Sequence, residues 1–181
     1  GLMVPVVRQA EQRTLRQLKP VAYGAEAQLH PALRCVFRDA GHIIGAAIIE
    51  LWVRNGSKIR KIVFSGDIGQ PNRPLVRDPT PVAEADVLVV ESTYGNRLHK
   101  SMNDTMTELE HAITDTLVRK KGNVIIPAFA VGRTQEMLYL LVDLHKQGRL
   151  PDMNIYVDSP MALRATDITA KHWGDRKSTR L

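Results

Sequence analysis

Only one cysteine, Cys35, occurs in the 181 residues. A lone thiol excludes an intramolecular disulfide framework and any cysteine-rich zinc module, and it suits a reducing, cytoplasmic compartment. No apolar run approaches the ~18–20 residues that a membrane-spanning helix needs, so no membrane partner is expected. The first residues, Gly1 to Pro5, put no basic flank before an apolar stretch and so do not read as a secretory signal. Also missing are His-Glu-x-x-His, Cys-x-x-Cys and the phosphate-binding Gly-x-x-x-x-Gly-Lys-Ser/Thr loop. There is no internal repeat or low-complexity tract. The net charge of +6 permits an anionic partner, but Lys and Arg divide almost evenly along the chain and single out no segment as its surface. What is present is an ordinary globular composition, 44% hydrophobic and 24% charged. A chain of this length can bury a core without staples.

Alternating charged and apolar residues predict a helix from Pro5 to Lys19, stopped by Pro20. Strands are predicted at Leu33–Phe37, Ala47–Val53 and Ile59–Phe64, the last two joined as a hairpin by Asn55-Gly56-Ser57. Residues 69–86 carry Pro71, Pro74, Pro79 and Pro81 and read as an ordered loop. The continuous apolar run Val87–Val90 predicts a strand covered on both faces. Beyond it the period changes. Met106, Leu109, Ile113 and Leu117 share one helical face, with Gly122 as the expected C-cap. Val124–Ile126 reads as a buried strand, Gly132–Gln147 as a helix, Ile155–Val157 as a strand, and Met161–Lys171 as a third helix. Such alternation predicts parallel α/β structure after a hairpin-rich first half, with a boundary near Asn96. The basic, aperiodic residues 174–181 read as a non-native or disordered tail.

Three polar residues stand where apolar strands give way to glycine-flanked turns: His42, Asp67 and Glu91. Strand ends in layered α/β folds collect functional side chains, and an imidazole with two carboxylates suits zinc or a similar cation. The same residues also have plain structural uses. A histidine between glycines serves as a turn residue, and an aspartate in Gly-Asp-x-Gly forms an Asx turn. Ser159, before Pro160, suits an anion at the next helix's N-terminus, and equally a simple N-cap. His111 and His145 read as solvated helix faces. His30 and His172 carry no ligand-like spacing, and His99 follows the Tyr94-Gly95 turn as a loop histidine.

Five runs, in order, resemble the β-CASP branch of the metallo-β-lactamase fold: Phe37–Ala46 (FRDAGHIIGA), Phe64–Gly69 (FSGDIG), Glu91–Gly95 (ESTYG), Ile126–Glu136 (IPAFAVGRTQE) and Asp158–Ala162 (DSPMA). The likeness is to RNA-processing nucleases related to the mRNA 3′-end cleavage and polyadenylation endonuclease. It covers nearly all of residues 5–172. It implies an α/β fold: a partial metallo-β-lactamase αββα sandwich in residues 1–95, then part of a β-CASP α/β cap in 96–173. It further implies two zinc ions in the parent enzyme, with His42 as a ligand and Asp67 as the carboxylate bridging them. Glu91 matches the acidic residue that supports a catalytic histidine further on. Single-stranded RNA is the implied partner, cleaved endonucleolytically or from the 5′ end, and a homodimer or RNA-processing complex is compatible with it. The family's upstream His-x-His-x-Asp-His motif and its two later histidine motifs are absent, and Ala46 replaces a serine. The chain therefore reads as an internal fragment, inactive alone. A non-catalytic scaffold subunit and a small-molecule ester or thioester hydrolase are the alternatives.

Overall fold

The computed structural model describes residues 20–177, with side chains to His172. The helix expected at Pro5–Lys19 and the tail residues 178–181 lie outside the described residues. Five strands form one sheet in the order of the chain: β1 (Glu26–His30), β2 (Leu33–Asp39), β3 (Ala47–Asn55), β4 (Lys58–Phe64) and β5 (Val87–Val89). The first four make an antiparallel meander, and β5 joins β4 in parallel. Gly56, at φ +61°, turns the β3–β4 hairpin, as the Asn-Gly signal requires. Helices follow: α1 (Met102–Thr114), a π-helical turn (Asp115–Arg119), α2 (Arg133–Lys146) and α3 (Pro160–Lys177). The chain divides into two compact units between Thr93 and Tyr94.

In the sheet unit, Ile48 of β3 and Val63 of β4 pack with the buried Ala40, and Ala46 and Val82 close over them. Register puts Val36, Glu50 and Val63 side by side on that face. Glu50 is buried there at 3% exposure and is held by Arg38 and Lys61, each at 2.7 Å. Burial pushes its carboxyl up, but hydrogen bonds from Lys61 and Arg38 outweigh that and leave it below its ordinary value. One step along the same face, the Arg34 guanidinium lies 4.2 Å from the Trp52 ring centre and Lys61 lies 5.2 Å from it. The charged residues are thus tied to an aromatic anchor rather than left to solvent.

In the helical unit, Met106 and Ile113 of α1 pack with Leu140, Leu141 and Leu144 of α2, and Leu150 completes the cluster. Ser101 caps α1 by accepting the Asp104 N–H. Gln135 holds the start of α2. Its Oε1 accepts the Gly132 N–H at 2.7 Å, while Nε2 donates to Ala130 O, Ala162 O and Thr166 Oγ1.

The structure corrects several expectations. Val87–Val89 is a parallel edge strand, 42–59% exposed, because no described element covers it. Neither Val124–Ile126 nor Ile155–Val157 pairs into a strand among the described residues, and Ile125 and Tyr156 stand 90% and 86% exposed. The helical unit is therefore not a parallel α/β layer here. The left-handed residue closing the first helical run is Lys121, at φ +55°, not Gly122. Helix α3 continues to Lys177, so residues 174–177 are helical and not disordered. The element β1 was not expected. No described helix is long and apolar enough to cross a membrane.

Candidate active site

Each of the three candidate residues sits just past the end of a strand, and the backbone ties those ends together. After β2 the chain folds into a tight turn in which Asp39 Oδ1 accepts the Gly41 N–H at 2.9 Å and Ala40 N–H reaches Ala46 O at 3.1 Å. Gly41 takes φ +66°, and a Cβ there would lie 2.7 Å from Arg77 O and from the Pro79 ring. Only glycine fits, because the proline-rich loop wraps directly over it. His42 follows at the exposed tip.

The turn after β4 carries Asp67, also exposed. Its far end, Gly69, donates its N–H to Ala40 O at 2.8 Å. A Cβ on Gly69 would lie 1.8 Å from Gly41 O and 2.6 Å from His42 N, so the Asp67 and His42 turns touch backbone to backbone.

The end of β5 closes the corner. Ser65 N–H donates to Val89 O at 2.9 Å, and the Ser65 hydroxyl accepts the Glu91 N–H at 3.1 Å. Glu91 Oε1 in turn accepts the Ile68 N–H at 2.8 Å. These bonds hold the half-buried Glu91 carboxyl below its ordinary value, led by Ile68, then Thr93, with a smaller pull from His42. His42, Asp67 and Glu91 therefore belong to one hydrogen-bonded corner of the sheet unit.

The corner offers one imidazole and one free carboxylate of the right type for a borderline cation. Among the described residues, no group of three His, Cys, Asp or Glu side chains gathers as a metal-ligand set. The described residues therefore supply at most part of a zinc site.

Ser159 lies in the helical unit, where its hydroxyl accepts the Ala162 N–H at 3.2 Å, the geometry of an N-cap. His99 stacks edge-on against Tyr94 with ring centres 5.2 Å apart. His111 and His145 are exposed on their helices. Sequence reasoning missed Ser65 and Gly69 as site-building residues. Their signal lay inside the Phe64–Gly69 run, where a buried serine and a second glycine flank the aspartate.

Comparison with known proteins shows what the chain is similar to. The Beta-Casp domain matches residues 134–180. A ribonuclease of Thermus thermophilus is 39% identical over 158 residues, covering 87% of this chain and 35% of that protein. An RNase J-like protein of Methanocaldococcus jannaschii is 36% identical, covering 83% of this chain and 35% of that protein. Subunit 3 of the cleavage and polyadenylation specificity factor of Dictyostelium discoideum is 33% identical, covering 71% of this chain and 16% of that one. The chain spans about a third or less of these relatives' lengths.

Proposed function

The chain belongs to the β-CASP family, and from that premise we propose that its full-length protein is a metal-dependent hydrolase of RNA phosphodiester bonds. The observation that carries the reading is the single hydrogen-bonded corner joining the turns of His42, Asp67 and Glu91. An imidazole and a carboxylate on adjoining turns are suitable ligands for zinc, which we take as the metal, two ions in the full-length protein. With further ligands, His42 and Asp67 would help hold the zinc, which would supply a water of near-neutral pKa and offset charge on phosphate oxygens. The remaining ligands come from outside the described residues. This chain's own part is to hold His42 and Asp67 at fixed places and to keep Glu91 ionised beside them. Single-stranded RNA is the proposed substrate, since the named activity of the ribonuclease relatives is on RNA.

Asp67→Asn in the full-length protein tests this reading. If Asp67 held two cations, losing its charge would leave their mutual repulsion unbalanced. The expected result is lower zinc content and loss of RNA cleavage, with the fold intact because Asp67 is exposed. An Asx turn predicts the reverse, because Asn serves such turns as well as Asp does. Normal zinc together with normal cleavage removes Asp67 from the site.

A further inference from the structure

The resemblance assigns Glu91 a task toward a catalytic histidine that this chain lacks; among the described residues its carboxylate binds the Asp67 turn. We infer that Glu91 is a positioning residue for Asp67: its Oε1 clips the Ile68 N–H and fixes the turn on which Asp67 stands.

The geometry comes from three consecutive links. Ser65, 3% exposed, anchors the near end of the turn by donating its N–H to Val89 O. The Ser65 hydroxyl accepts the Glu91 N–H, which sets where the Glu91 side chain begins. That side chain then reaches back to the far end of the turn, at Ile68, at 2.8 Å. Asp67 lies between the two anchored residues, so its backbone is held on both sides by the end of β5. On the opposite flank Gly69 binds Ala40 and rests on the His42 turn. Glu91 is thus the link through which β5 sets the distance between the turns of Asp67 and His42. A backbone N–H bonded to an ionised carboxylate makes a strong link of this kind. A carboxylate has about four acceptor sites. The Ile68 N–H takes one of them, so the clip leaves capacity for further donors.

The inference rests on Asp67 belonging to the reaction centre, and the two ideas separate by experiment. In the full-length protein, exchange of the Ile68 amide is measured by mass spectrometry on peptides spanning 65–70, for Glu91→Ala, Glu91→Gln and Ser65→Ala. Glu91→Ala removes the acceptor and is expected to speed Ile68 exchange about tenfold or more. Glu91→Gln keeps an oxygen in place and is expected to retain most of the protection. Ser65→Ala, which keeps the carboxylate, gives an intermediate loss and serves if Glu91→Ala does not fold. Zinc content is expected to follow the same order. Unchanged exchange in Glu91→Ala, or equal loss in Gln and Ala, overturns the clip whatever the cleavage data say. A wild-type protein that holds Ile68 protected but cleaves no RNA overturns the nuclease reading and leaves the clip standing.

Discussion

Gly69→Ala puts the close approach of the two turns to a direct test. The new Cβ would sit 1.8 Å from Gly41 O, 2.1 Å from Gly41 C and 2.6 Å from His42 N. All three are backbone atoms, so no side-chain rotation relieves the clash. Ordinary contact begins near 3.4 Å, which requires a separation of about 1.6 Å, an overpacking that costs about 1–3 kcal/mol. Moving the turns apart also weakens the Gly69 N–H to Ala40 O bond, worth about 1 kcal/mol. The expected loss is about 2–4 kcal/mol. With a urea slope of about 2 kcal/mol/M, the midpoint falls by about 1–2 M. Trp52 fluorescence in a Trp173→Phe background reports on the sheet unit. Gly56→Ala is the control: its φ of +61° strains alanine, but nothing lies within 4 Å, so it costs only about 1–2 kcal/mol. A Gly69→Ala midpoint equal to the wild type, or no lower than that of Gly56→Ala, refutes the reasoning.

The buried Glu50 makes a pH-dependent prediction. Its folded value lies below its ordinary 4.5, so its contribution is complete above that pH and is lost as pH falls through the folded value. Glu50→Gln should therefore flatten the acid limb of stability below pH 4.5, as read from urea midpoints between pH 3 and pH 6 (values on the order of those set by the reference carboxyl pKa). Lys61→Met strands one oxygen of the buried carboxylate and should cost about 3 kcal/mol at pH 7. Gln135→Glu keeps the acceptor for Gly132 but loses the donor to Ala130 O and Ala162 O; thermal unfolding should show a loss of about 2–3 kcal/mol.

The meander was readable because β2, β3 and β4 carry runs of β-branched, aromatic and other apolar residues and Asn55-Gly56 announces its turn. β1 has no such run: Glu26-Ala27-Gln28-Leu29-His30 alternates but holds only two apolar residues, and it becomes strand because β2 offers an edge to pair with. The apolar runs at 87–90, 124–126 and 155–157 misled in one direction. Hydrophobic content says that a segment prefers burial but not that its covering element is among the described residues. At the site, glycines flanking His42 and Asp67 marked both turns from sequence. The Glu91–Ile68 link did not show, because it joins residues that only the β4–β5 pairing brings together. Glu50 was overlooked for the same reason, since its alternation with Ile48 and Trp52 marks an inward position but not the two cations that neutralise it.

Parallel pairing between β4 and β5 has a consequence in time. Each of the first four strands meets its sequence neighbour across a short turn, whereas β5 can dock only after the loop of residues 65–86 has closed. Closing a loop of that length must precede any gain from the contacts it brings, so such pairings form late. Strand β5 also buries little of its own surface, which makes its release a cheaper excursion than unfolding the whole sheet. The corner of His42, Asp67 and Glu91 is then the last part to assemble and the first to come undone. A molecule warmed just enough to shed β5 keeps its four-stranded meander and loses the Glu91–Ile68 link beside Asp67.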